Sequence, residues 1–168
     1  LRTMSLHDVS LNDDVRDLLP GVLSDLKDLV AIESVSADQA RAGEVERSAV
    51  AIVRLLVDAG CPDARVVRAN GGAPAVIARF PAPAGMPTVC LYAHHDVQPE
   101  GDPAGWATPP FGATEIDGRL FGRGSSDDKG GFAVHLAALR AFGGKPSVGV
   151  TLFIEGEEEV GSADLAQL

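Results

Sequence analysis

A chain of 168 residues with 45% hydrophobic side chains is long enough to build a domain with its own core and is not composed like a disordered polypeptide. Twenty-four acidic against fourteen basic residues leave a formal net charge of −10, which argues against nucleic acid or an anionic membrane as a partner. No apolar run approaches the ~18 residues of a membrane span, no charged-then-apolar leader opens the chain, and Cys61 and Cys90 read as reduced, partly buried thiols, so a cytoplasmic protein is expected.

Residues 1–12 read as a flexible tail. Over 13–35, Leu18, Leu19, Val22, Leu23, Leu26, Leu29 and Val30 recur at helical spacing, with Asp13 or Asp14 as the cap. Pro20 either kinks this helix or marks where its regular part starts. Residues 42–59 form a second amphipathic helix with Val45, Ala49, Ile52, Val53 and Leu56 on one stripe and Gly60 as its C-terminal cap. Arg65 to Arg68 and Ala75 to Phe80 flank an Asn70-Gly71-Gly72 turn and read as a hairpin. Thr88 to Ala93 is a continuous apolar run, the pattern of a strand buried on both faces. Residues 99–118, rich in Pro and Gly, read as one long loop, a kind that is usually functional. Residues 129–142 read as a helix with Phe132, Leu136, Leu139 and Phe142 inward, closed by Gly143-Gly144. Val148, Val150, Leu152 and Ile154 alternate as a strand, and Ser162 is placed as the cap of a further helix. This order predicts an α/β fold, a three-layer sandwich on a mixed, mostly parallel sheet, whose ligands gather beyond the carboxyl ends of the strands.

Three charged clusters follow these elements. In His94-His95-Asp96, residues two apart share one face of an extended chain, so His94 is assigned as a metal ligand, Asp96 as its supporting carboxylate, and His95 to the opposite face. The same tripeptide also suits a solvated strand end. Gly122-Arg123-Gly124-Ser125-Ser126-Asp127-Asp128-Lys129 offers a carboxylate able to lie between two cations, or an ordinary helix start with a capping aspartate and a solvated Lys129. Glu155-Gly156-Glu157-Glu158-Glu159 packs four carboxylates into five residues; a cation would offset their repulsion far better than solvent does, though an exposed acidic turn has the same composition. Taken together, an imidazole, an aspartate and glutamates from three separate segments make the collection that a hydrolytic metal site needs.

The stretches Tyr92-Ala93-His94-His95-Asp96-Val97-Gln98-Pro99, Leu120-Phe121-Gly122-Arg123-Gly124-Ser125-Ser126-Asp127-Asp128-Lys129-Gly130 and Glu158-Glu159-Val160-Gly161-Ser162 resemble the M20 metallopeptidases, a family that includes carnosinase-like dipeptidases and carboxypeptidase G-like enzymes. Trp106, Pro109, Pro110 and Phe111 fall on the family's Trp/Pro/Phe segment. The resemblance implies that His94 binds one zinc ion, Asp127 bridges two, Glu159 binds the other, Asp96 supports the site and Glu158 is the general base, with cobalt or manganese as alternative metals. It implies a cis peptide at Asp127–Asp128, and a dipeptide or an N-acyl amino acid as substrate, with dipeptidase, deacylase and desuccinylase as competing activities. A non-catalytic binding module on the same fold is the rival. The family's remaining aspartate and histidine ligands and its second, dimerising domain have no counterpart in residues 13–168. The chain is therefore expected to be the N-terminal portion of a catalytic domain, metal-poor and inactive alone and prone to self-associate or to pair with the rest of its own chain, with the full-length protein homodimeric through that second domain.

Overall fold

The computed structural model describes residues 6–168. Helix α1 spans Leu6–Val30 and α2 spans Ala42–Asp58. Helix α1 begins seven residues ahead of the expected start, so residues 6–12 of the expected tail are helical; residues 1–5 of that tail lie outside the described residues. Pro20 lies inside α1 without ending it. Its ring is exposed, and water can serve the carbonyl that loses its amide partner there. The expected stripe of α2 buries Val45, Ala49, Ile52 and Leu56, with Ser48 beside them and Val53 half-buried. Gly60, at φ +89°, closes that helix as its composition suggests.

Strands β1 (Asp63–Val67) and β2 (Ala75–Phe80) form the expected antiparallel hairpin; β3 is Thr88–His94. At the end of the stretch expected as one loop, β4 (Thr114–Ile116) pairs across Asp117-Gly118, both at positive φ, with β5 (Arg119–Phe121) just beyond it. Helix α3 covers Lys129–Ala141 and β6 covers Gly149–Glu155. Ser162 caps nothing: at φ +53° its amide bonds the Glu157 carbonyl, and only a short 3-10 turn, Leu165–Gln167, follows.

The α/β expectation and the mixed sheet hold, with strand order β1-β2-β6-β3. Two of the three pairings are antiparallel; only β3 and β6 run parallel, so the sheet is not mostly parallel. Val76, Ala78 and Phe80 of β2, Val150, Leu152 and Ile154 of β6 and Ala93 of β3 share one sheet face. They form a single core with Leu29, Ile52, Leu56, Phe132, Leu136 and Leu139 from all three helices. Among the described residues the helices thus cover one face, giving two layers rather than three. The other face carries Ile77, Thr151, Phe153, Cys90 and Tyr92. The apolar run of β3 is accordingly not buried on both faces: it is an edge strand, with Val89 and Tyr92 exposed and an exposed Cys90 in place of the partly buried thiol expected there. Cys61 is buried, and both cysteines are free.

Candidate active site

The parallel pair β3 and β6 sets His94 opposite Glu155. The segments leaving these strands, His95 to Gln98 and Gly156 to Glu159, therefore emerge side by side. The loop 122–128, between β5 and α3, brings the third cluster to the same end of the sheet, where α/β folds collect ligands.

His94 is 5% exposed. Its Nδ1–H donates to the Asp96 backbone carbonyl at 3.1 Å, while Asp96 Oδ1 lies 3.5 Å away. The orienting contact is thus chiefly the carbonyl, with the carboxylate behind it. Nε2 faces the hollow, 2.9 Å from Asp127 Oδ1 and 3.7 Å from Glu158 Oε2. Burial opposes charge on this ring, but the bonds to Asp96 and Asp127, which only accept, outweigh it and raise the pKa to about 9. Asp96 is fully buried. Burial would lift its pKa, yet the bonds from His94, from Ser36 Oγ at 2.6 Å and from the Glu159 amide at 3.1 Å hold it below the usual carboxylate range. Its other oxygen accepts the Glu158 amide at 3.3 Å. One carboxylate therefore steadies both the imidazole and the backbone of the two glutamates, and it has no oxygen left to face the hollow.

His95 points the other way, as the alternation predicts. It is fully buried, its Nε2–H donates to the Pro74 carbonyl at 2.8 Å, and burial pushes its pKa down to about 4. It joins the core and takes no part in the hollow.

The Asp127 side chain is 79% exposed and the Asp127–Asp128 peptide is cis. Asp128 Oδ2 accepts the His94 amide at 3.3 Å, a second link between the two loops. Glu159 Oε2 accepts from Gln98 Nε2 at 2.9 Å. One donor atom from each of His94, Asp127 and Glu159 lies within 4.8 Å of the others. An imidazole nitrogen with two carboxylates, the imidazole backed by Asp96, is a donor set that suits zinc, cobalt or manganese. Glu158, 44% exposed, stands on the rim of the same hollow.

Other residues support the loops around the hollow. Lys129 is not solvated. It is 1% exposed, its Nζ donates to the Leu29 and Ile32 carbonyls at 2.8 and 2.7 Å, and burial lowers its pKa to about 7. Ser36, which holds Asp96, carries no sequence signal beyond polarity, and Gln98, which holds Glu159, lies in the Tyr92–Pro99 motif with no role assigned to it there. Tyr92 donates to buried Glu155 Oε2 at 2.7 Å. In the loop that follows Asp96, Trp106 Nε1–H donates to the Glu100 carbonyl at 2.8 Å, and the Arg123 guanidinium lies 5.3 Å over the Trp106 ring while donating to the Pro99 carbonyl. Both residues anchor the loop. Arg41 grips Glu100 with two hydrogen bonds of 2.9 and 2.8 Å and holds its carboxyl down to about 2.

Residues 90–167 match the model of peptidase family M20/M25/M40. The chain is 47% identical over 76 residues to the succinyl-diaminopimelate desuccinylase of Rhodospirillum centenum, covering 44% of this chain and 20% of that protein. It is 39% identical over 98 residues to the Beta-Ala-His dipeptidase of Mus musculus, covering 56% of this chain and 20% of that one. The solved di-peptidase Dug1p of Saccharomyces cerevisiae superposes with a TM-score of 0.86 at 28% identity, over 95% of this chain and 36% of that structure. The chain thus spans about a fifth of the length of these curated relatives. Among the described residues no helix is long and apolar enough to cross a membrane.

Proposed function

We propose, for a chain that belongs to peptidase family M20/M25/M40, that it carries the first part of a catalytic centre for metal-dependent hydrolysis of a peptide or amide bond, with a dipeptide or short peptide as substrate. The observation that carries this is the convergence of His94, Asp127 and Glu159 to within 4.8 Å, from three segments up to 65 residues apart. In this proposal His94 and Asp127 hold one zinc ion and Asp127 and Glu159 the other. When bound, such ions polarise the scissile carbonyl and bring the pKa of a water toward neutrality. Glu158 takes a proton from the attacking water and returns it to the leaving amine, a duty that suits a carboxylate beside the donor set but outside it. Asp96 keeps the His94 Nε2 aimed into the hollow.

Two protein ligands per ion hold zinc weakly compared with three or four. We therefore place the remaining ligands, and the dimerising domain, in sequence beyond these 168 residues, and expect this chain alone to bind metal poorly and turn over little. The test is Glu158→Gln in the complete enzyme: metal content stays at the wild-type level while kcat falls about 10²–10⁴-fold. Near-normal turnover would remove Glu158 from the mechanism. Desuccinylation of an N-succinyl amino acid is the second reading, favoured by the 47% identity over 76 residues to a desuccinylase. Comparing kcat/KM on a β-alanyl dipeptide and an N-succinyl amino acid separates the two.

A further inference from the structure

Residues 29–36, where α1 ends and the chain turns toward α2, touch both loops that carry the proposed ligands. On one side, the Leu29 and Ile32 carbonyls accept Lys129 Nζ at 2.8 and 2.7 Å, and Lys129 is the second residue after Asp127. On the other side, Ser34 Oγ donates to the His95 carbonyl at 2.6 Å, the Ser34 carbonyl accepts the Val97 amide at 3.0 Å, and Ser36 Oγ donates to Asp96 Oδ2 at 2.6 Å. Val35 bridges Val97 in parallel register, and Ser34 and Val35 are fully buried. The Lys129 stem runs beneath the Asp127 loop. A Cβ at Gly124, which sits at φ +82°, would lie 3.2 Å from Lys129 Cδ and 2.8 Å from Val97 Cγ1. The two loops therefore press on each other with no room for a side chain between them.

We propose that this exit turn of α1 is a bracket that sets the distance between His94 and Asp127, with Lys129, Ser34 and Ser36 as its positioning residues. None of the three faces the hollow with a donor atom. Lys129 clamps the Asp127 loop onto the two carbonyls, and the serines clamp the His94 loop onto the same eight residues. A shift of the turn moves one ligand relative to the other, and outer partners of metal ligands are typically worth 10–100-fold in metal affinity. The inference rests on the proposed metal site, and its test is built so that the two fail separately.

The first measurement is amide hydrogen exchange of the metal-free full chain. Lys129→Met removes the clamp at one loop, and the reporter is the Val97 amide in the other. Exchange about tenfold faster at Val97, with unchanged protection at Leu152 in the core strand, is the expected result. Unchanged exchange at Val97 in a folded variant overturns the bracket whether or not metal binds. The second measurement is cobalt titration of the complete enzyme, followed by visible absorption. Lys129→Met and Ser36→Ala are each expected to weaken cobalt binding about tenfold or more and to alter the cobalt spectrum, and Ser36→Thr, which keeps the hydroxyl, to restore both. Wild-type affinity and spectrum in Ser36→Ala would overturn the bracket even if Lys129→Met failed to fold. Fast Val97 exchange in a protein that takes up no cobalt would retain the bracket and remove the metal site.

Discussion

At the scale of single residues the imidazole of His94 is the informative group. Its Nδ1–H is committed to the Asp96 carbonyl and its Nε2 meets an Asp127 carboxylate oxygen, so without metal both ring nitrogens keep their protons. A metal ion arriving at Nε2 must displace the one facing the hollow. With the pKa at about 9, cobalt affinity is expected to rise about tenfold per pH unit at neutral pH and to level off above about 9, with one proton released by His94 per ion bound. Titrations across that range in two buffers of different ionisation enthalpy check it; a flat profile would mean that His94 is not a ligand. In the metal-free chain the same raised pKa has a stability consequence of fixed sign. Its contribution is full below the ordinary value of 6.5 and is lost as pH rises through about 9. The three charged clusters were legible because strand or loop signals lie beside each, while the choice of Asp127 and Glu159 within theirs came from the family resemblance. The place of Lys129 was not legible. Its partners are backbone carbonyls 97 and 100 residues away, and a lysine after two aspartates looks solvated until the packing around it is known.

At the scale of elements, helical periodicity located α2 and α3 to within a residue or two, since apolar positions three to four residues apart fall on one face only when the backbone is helical. The apolar run of β3 misled, because continuity alone does not distinguish a strand covered on both faces from one left open at a sheet edge. The β4–β5 hairpin was missed although Asp117-Gly118 announces it. Two residues able to take positive φ between short strands are the favoured two-residue turn. The exit of β6 depends on a glycine. A Cβ on Gly156 would run into the Pro74 carbonyl oxygen, the acceptor of His95, and would lie 2.8 Å from His95 Nε2 itself. Gly156→Ala is therefore expected to lower stability by about 1–3 kcal/mol and to loosen the glutamate segment that follows. Thermal unfolding measures the first effect and cobalt affinity the second. An unchanged Tm would show that the strand end relaxes freely.

At the scale of the whole molecule the sheet is the element left incomplete by its own residues. The described helices cover one face, while Ile77, Phe153 and Tyr92 lie on the other, with Tyr92 47% exposed. The outer edge of β3 has one carbonyl, that of Tyr92, taken by His135 Nε2 at 2.9 Å. An apolar edge strand beside an uncovered face is a template for pairing with another chain. Against this stands the net charge of −10, which drives copies apart and is screened by salt. The two terms oppose each other, and salt weakens only the repulsion. If pairing at β3 wins, the weight-average mass in sedimentation equilibrium should exceed that of a single chain at tens of micromolar and should rise further as salt is raised from about 0.05 to 0.5 M. Val89→Lys, which puts a charge on the same strand, should return the mass toward the monomer value without altering the circular dichroism. A wild-type chain that stays monomeric at the higher salt would mean that the edge and the open face are not sticky. The exposed apolar residues of β3 would then have no part in association.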